Sequence, residues 1–478
     1  MAVINGRGTW GVRALIPTVI TTTSNWTRPT DWLALNAPTD NTEQFTGLLA
    51  ITNDDSNYVT LLATSTGNYT VDWGDGSVTT HASSTSAEHK YEYSAISEST
   101  LCSRGYKQVV VKLTGTNITQ FLTNRPHSAI STATGVLYTW LEYHINLPNC
   151  TYMVFNNSSY TNGAFQTWVE KVTINKASSA MSGYNLMFNN FYSLQEATFN
   201  YSTTGATNTS QMFNECYSLN SVSLFNTSNV VTANNMFNNC YSLTTIPSFN
   251  FASVGNGSSM FNGCFLLATV PDLNFTNATN LNSLFYNCYS LVTAPTLTTT
   301  KVTNTGSMFY GCVSLDTVPL FNTSTVTTAT QMFMTCNLLT SVPAFNMSLV
   351  TNFSNMFDSC YNLRSVGLID TQGVTNWTSA FNNCYSLDEL PALNLTAGTT
   401  FTSMFNGDGG ISKAPFLNIR NTFTFANMML SKTAIVNIFN GLASGVTSKT
   451  ITVSGNPGYA SLTSADRLIA TGKGWTIA

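Results

Sequence analysis

Thiols are the first groups in this chain whose spacing suggests chemistry. Eight of its ten cysteines, Cys216, Cys240, Cys264, Cys288, Cys312, Cys336, Cys360 and Cys384, lie 24 residues apart. Such a row could form disulfides, hold a soft metal, or simply pack. Stacked on neighbouring coils, the side chains would sit about 4.8 Å apart with parallel vectors, whereas a disulfide needs Cβ atoms about 3.8 Å apart. A tetrahedral metal site needs ligands that converge, which one straight row cannot supply, and no histidine follows His144. Free cysteine behaves as a small, buried hydrophobe. The row is therefore read as core, with no metal and no cofactor.

A second row follows each cysteine: Tyr192, Tyr217, Tyr241, Tyr289, Tyr361 and Tyr385, with Phe265 in register. It reads either as an aromatic stack shielding the turn or as an exposed strip for a glycan or a partner protein. On the second reading Tyr217, Tyr241, Tyr289, Tyr361 and Tyr385 are the candidate contact surface. Asn189, Asn214, Asn238, Asn262, Asn382 and Asn406 follow the phenylalanines and suggest caps or side-chain ladders. The Asn-x-Ser/Thr sites, such as Asn68, Asn117 and Asn226, follow from composition.

Catalytic constellations are missing. The chain has no His-Glu-x-x-His, Gly-x-Ser-x-Gly or Walker A sequence. Asp388-Glu389 is the one adjacent carboxylate pair in the array, and neighbours on a strand point to opposite faces. Gly6-Arg7-Gly8-Thr9-Trp10-Gly11 matches a dinucleotide fingerprint in form, but no strand precedes it. The chain is read as a non-enzyme.

The elements that must carry these rows come from the repeat. Phenylalanine recurs at 188, 213, 237, 261, 285, 309, 333, 357, 381 and 405. A fixed period of this length means a solenoid, whose units bury their apolar faces only against each other. Met236, Phe237, Cys240 and Leu243 have the spacing of one face of a short helical turn. Ile246-Pro247-Ser248-Phe249 reads as a short strand entered through proline. Val230, Val254, Val302, Val326, Val350 and Val374 form a third inward row. Ten coils would make a rod of roughly 50 Å.

Composition sets outer bounds. Of 478 residues, 18 are basic and 22 acidic, so 8% are charged and the net charge is −4, against about 25% charged in ordinary proteins. Nucleic-acid binding, which needs clustered cations, is disfavoured. No run of about 18 apolar residues suggests membrane insertion, and 43% hydrophobic content is enough for a core. Residues 1–25 make a poor signal peptide, because Pro17 interrupts the apolar run.

The unit Met-Phe-x-x-Cys-x-x-Leu, followed by Asn-Val-Thr-x-Met, resembles the BspA-type leucine-rich repeats over about residues 180–430. Gly367, where proline is expected, and Gly407-Asp408-Gly409-Gly410, which replaces a cysteine, are departures. The resemblance implies a right-handed, leucine-rich-repeat-like solenoid used for adhesion and protein contact. Earlier, Trp73-Gly74-Asp75-Gly76, His89-Lys90-Tyr91 and the strand Val109–Leu113 resemble a PKD domain, an Ig-like β-sandwich. Asp72 and Asp75 there suit calcium, or hydrogen bonds to their own backbone.

The expected fold is mainly β, in five parts. Residues 1–45 form an N-terminal arm, with Arg7, Arg13, Trp26 and Arg28 as candidate anchors. Residues 46–115 form a PKD-like sandwich and 116–180 irregular first coils. Residues 181–428 are a solenoid of about ten 24-residue coils, and 429–478 a small α/β cap. PKD-like and BspA-type modules together resemble virion proteins of environmental tailed phages. That resemblance implies a fibre, spike or capsid-surface decoration. It would contact other virion proteins through its arm, and a host surface protein or glycan through its solenoid, with homo-oligomers allowed. The alternative is a bacterial cell-surface adhesin.

Overall fold

The computed structural model describes residues 26–36, 42–53, 57–123, 125, 127–129, 139–155, 168–407, 411–426 and 428–478. Arg7, Arg13 and the Gly6–Gly11 match lie outside the described residues, as do residues 408–410 of the glycine-rich departure.

Alternating and continuous apolar runs in the first third form strands β1 (Gln44–Ile51), β2 (Tyr58–Thr64), β3 (Tyr69–Asp72), β4 (Val78–His81), β5 (Ser86–Lys90), β6 (Lys107–Thr114) and β7 (Gln120–Leu122). They are followed by β8 (Trp140–Leu147), β9 (Tyr152–Val154), β10 (Lys171–Ala177), β11 (Glu196–Phe199) and β12 (Ser221–Val222). One sheet runs β12-β11-β10-β8-β1-β6-β3-β4, and a second runs β5-β2-β7-β9. The larger sheet changes character midway. β8 is antiparallel to β1 but parallel to β10, and β10, β11 and β12 then pair in parallel. The sheet thus runs through the boundary expected at 115–116, and the wall of the two-sheet unit becomes the first wall of the solenoid.

The segments expected to resemble a PKD domain meet in space. Trp73 stacks on His89 at 4.9 Å, and the Tyr91 hydroxyl donates to the Trp73 carbonyl at 2.8 Å. Asp72 accepts from the Gly74 amide at 3.0 Å, and Asp75 from the Ser77 amide at 2.9 Å. Both carboxylates therefore close their own turns. Gly74 has φ +79°, and a Cβ there would run into the Val110 carbonyl, so this turn requires glycine.

In the array the expected helical turn does not form. The Met-Phe-x-x-Cys stretch is a chain of β-turns. The Met212 amide donates to the Thr209 carbonyl at 3.2 Å and the Cys216 amide to the Phe213 carbonyl at 3.2 Å. Gln211 and Glu215 have φ 55° and 61°, the left-handed third position of a type II turn. This conformation costs about 1–2 kcal/mol per non-glycine residue. It turns alternate amides along the rod, where Gln211, Phe213 and Glu215 donate to the carbonyls of Asn234, Met236 and Asn238 in the next coil. A helix would have used those amides within its own turn.

The expected strand is also displaced. Ladders flank the proline position, as in β13 (Leu273–Phe275) with β14 (Leu297–Thr299) after it, and β15 (Ser341–Val342) with β16 (Ser365–Val366) before it, Gly367 standing in for proline after β16. Proline lacks a ladder donor and turns the corner between them. A third line of bridges runs Asn208, Thr232, Asn256, Asn280, Asn304, Thr328. Val230, Val254 and the rest of their row are buried as expected.

The rod is filled by an aromatic spine. Phe188 to Phe405 stack at 5.3–5.7 Å, and Phe155 and Phe425 extend the stack one ring at each end. Burying each ring contributes about 1.5–3 kcal/mol. All of these rings belong to one core that also includes Trp73 and Phe121 of the two-sheet unit.

The C-terminal residues form β17 (Phe423–Thr424), α1 (Lys432–Asn440), β18 (Lys449–Thr452), α2 (Ser464–Thr471) and β19 (Trp475–Ile477), with β17-β18-β19 a parallel sheet. Buried Asn456 ties the tail together. Its Oδ1 accepts from the Met428 and Leu430 amides, and its Nδ2 donates to the Phe425 and Val453 carbonyls.

Candidate contact surface

All ten cysteines are free and buried. Their role is more specific than packing. Each array thiol donates to the carbonyl of the phenylalanine in the preceding coil, from Cys216 on Phe188 at 3.1 Å to Cys384 on Phe357 at 3.1 Å. Burial pushes the thiols of Cys216, Cys240, Cys264, Cys288, Cys312, Cys336 and Cys360 well above their ordinary pKa. They are not nucleophiles at neutral pH.

Tyr192, Tyr217, Tyr241, Phe265 and Tyr289 form one stack at 4.4–4.9 Å with rings within 11° of parallel. Tyr361 and Tyr385 form a separate pair at 5.3 Å. Val313 and Asn337 occupy the register between them. Tyr217, Tyr241, Tyr289 and Tyr361 are half-buried, and Tyr385 is 55% exposed. Because interior rings face one another, a ligand meets ring edges and hydroxyls rather than ring faces. Tyr217 also bonds Glu215 at 3.2 Å, and burial beside that carboxylate pushes its hydroxyl up to about 12.

Amide ladders run beside the rings. The Asn214 side chain donates to Asn189 at 2.7 Å and Asn238 to Asn214 at 2.6 Å; Asn382 donates to Asp358 at 2.9 Å and Asn406 to Asn382 at 3.1 Å. Another asparagine column explains the many Asn-x-Ser/Thr sequences. Asn226 accepts from the Ser228 amide, and Asn274 from both the amide and the hydroxyl of Thr276. These are Asx turns at a coil corner, so geometry rather than composition sets the pattern.

Sequence reasoning missed the proline-corner face. Exposed Leu224, Leu320 and Leu368 share one register there. Two shallow grooves of about 400 and 490 Å³ lie along it, lined by groups including Asn226 and Asn250, and Ala344 and Asp370, and a third of about 590 Å³, lined by Asp272 and Pro295, lies at the prolines just ahead of the asparagine register. The signal was the asparagine that ends each Pro-x-Phe-Asn run.

The candidate anchors Trp26 and Arg28 need correction. Rather than projecting, residues 26–36 strap the outer face of the large sheet. Trp26 donates to Glu170 at 3.0 Å and Arg28 to Glu142 at 2.6 Å, while Trp32 is 4% exposed against Leu48, Tyr106 and Leu141. An apolar sheet face and two carboxylates hold the segment down, so neither residue is a free grip for a partner. Among the described residues, no group of three or more metal-ligating side chains converges, and no helix is long and apolar enough to cross a membrane.

A β-solenoid with hydrogen-bonded side-chain columns defines a class of repeat protein. The chain belongs to the family described as "Mycoplasma protein of unknown function, DUF285", whose model matches residues 150–272, 179–299, 279–392 and 303–415, more than half of the chain in union. No curated protein matches. Among solved structures, a plant peptide hormone receptor, RGFR1 in complex with RGF2, is 12% identical with a TM-score of 0.24, covering 67% of this chain and 62% of its own. The TLR13–ssRNA13 complex is 12% identical with a TM-score of 0.21, covering 69% and 57%. This chain spans less than two thirds of either structure, and at these scores neither bears on its ligands.

Proposed function

We propose that this protein is a non-enzymatic contact scaffold, a rigid rod presenting uncharged columns to other macromolecules. One observation carries the reading: amides, hydroxyls and tyrosines, most of them half-buried, repeat coil by coil and are held by neighbouring coils, as where Asn238 donates to Asn214. Side chains fixed this way lose little entropy when a partner docks. The two-sheet unit serves as a PKD-like spacer, a role supported by the Trp73–His89–Tyr91 cluster.

The setting we propose is the surface of a tailed-phage virion, as a fibre, spike or capsid decoration, with the assembly contact assigned to the segment containing Arg7 and Arg13. Thiols that act as hydrogen-bond donors must stay reduced, which suits folding in a host cytoplasm. Mass spectrometry of purified particles and of host envelopes tests this. The protein should copurify with particles, and recovery with envelopes instead would make it a bacterial surface adhesin. Its partner contacts should survive about 1 M salt, where charge interactions reach only about 3 Å.

A further inference from the structure

The Asx turns at the proline corner leave one group unused. In Asn226, Asn250, Asn274, Asn322, Asn346 and Asn394 the amide oxygen accepts a backbone N–H at 2.9–3.1 Å. That fixes which end of each side chain faces inward and turns Nδ2 outward. None of these Nδ2 groups has a protein partner, and five of the six residues are exposed, Asn394 being half-buried. Neutral amide donors therefore stand at a pitch of about 4.8 Å within the runs Asn226–Asn250–Asn274 and Asn322–Asn346, with Thr298 between the two runs and Asp370 before Asn394. Beside them run the exposed leucines and two of the grooves, and the third, lined by Asp272, lies just ahead of the same register.

We infer that this column binds a neutral polysaccharide chain lying along the rod, about one sugar per coil. The inference rests on the contact-scaffold reading and names its ligand. Asp272 and Asp370 line the grooves and no lysine or arginine does, so nucleic acids and acidic glycans are repelled. An extended peptide repeats each side about every 6.6–6.8 Å and falls out of step with the coils. A sugar ring in an extended chain is roughly one coil long. Its hydroxyl and acetamido oxygens accept from Nδ2, its hydroxyls donate to the two carboxylates, and its C–H surface covers Leu224, Leu320 and Leu368.

The fold supplies its own control. Asp370 occupies the same column and closes the same turn, accepting from the Gln372 amide at 3.3 Å. Aspartate thus preserves the turn while removing the donor. Electrophoresis of the full chain through gels containing hydroxyethyl cellulose, dextran or carboxymethyl cellulose, with pull-down on insoluble chitin, should show retention by at least one neutral polymer and none by the carboxymethylated one. Combining Asn250→Asp, Asn346→Asp and Asn394→Asp should cut that retention at least tenfold with an unchanged melting temperature. Should the triple variant melt early, Leu368→Gln on the exposed rim should weaken retention alone. Free migration in every neutral polymer, or retention unchanged in these variants, would overturn the inference. Capture of a protein partner under those outcomes would leave the scaffold reading standing.

Discussion

The Cys240 thiol donates to the Phe213 carbonyl of the preceding coil at 3.2 Å, and the Cys216 amide donates to that same oxygen at 3.2 Å. Both lone pairs of a fully buried carbonyl are thereby used, one within the coil and one between coils. The repeat needs a small apolar side chain that can still give a hydrogen, and cysteine meets both requirements.

Replacing Cys240 tests this double duty. A merely apolar site would prefer alanine to serine by the cost of a stranded hydroxyl, about 1–3 kcal/mol. With the Phe213 carbonyl in reach, Cys240→Ser should cost no more than Cys240→Ala, each about 1–2 kcal/mol. Denaturant midpoints of the two variants give the order.

Thiol reactivity follows from the same burial. A thiol whose pKa burial has raised holds almost no thiolate near neutrality. Iodoacetamide at pH 8 should label none of the array cysteines in the native protein and all eight after denaturation. Mass spectrometry counts the adducts, and rapid native labelling of several would exclude the buried row.

The tyrosine stack should respond by position. Tyr241 lies between Tyr217 at 4.7 Å and Phe265 at 4.4 Å, whereas Tyr289 ends the stack with one ring partner at 4.8 Å. Each aromatic contact contributes about 0.5–1.5 kcal/mol beyond burial. Tyr241→Ala should therefore lower stability by about 0.5–1.5 kcal/mol more than Tyr289→Ala in the same denaturant titration.

How far the sequence spoke depended on whether a feature repeats. The period, the inward Phe, Cys, Leu and Val rows and the ring stack were legible because each coil repeats them. The start of α2 was legible to within one residue, as a cap at Thr463 or Ser464, and it is Thr463 that closes a capping box with Asp466. The helical turn was misread because Met, Phe, Cys and Leu have helical spacing, while left-handed backbone at Gln211 and Glu215 has no strong residue signature. The strap was misread because Trp32 finds its pocket on residues 48, 106 and 141, far away in the chain. The proline-corner donors emerged only once each Asx turn fixed which end of its asparagine faces inward.

Acid should release the strap before it unfolds the rod. Burial alone would raise the Glu142 carboxyl, but hydrogen bonds from His144 and Arg28 hold it below the usual carboxylate range. The Ser103 hydrogen bonds likewise lower Asp31. Groups with a depressed folded pKa stabilise fully above their unfolded value, about 4, and that stability is lost as pH falls through the folded value. As pH falls below about 4, fluorescence near Trp32 should shift to the exposed range while far-ultraviolet circular dichroism changes little. Arg28→Gln should move that midpoint upward.

Glycine alternates with asparagine at one left-handed position, as Asn239, Gly263, Asn287 and Gly311 in successive coils, with φ 60°, 72°, 57° and 73°. The Asn287 amide oxygen lies where a Cβ on Gly311 would go. Gly311→Ala thus meets two obstacles, a left-handed backbone costing about 1–2 kcal/mol and a collision with the coil beneath. Asn287→Gly removes the second obstacle and keeps the first, since glycine adopts positive φ freely. The double variant should therefore be less destabilised than the sum of the singles, with a coupling of at least about 0.5 kcal/mol. Strict additivity in the denaturant midpoints would show that the side chain swings aside, leaving backbone conformation as the only reason for glycine at this position.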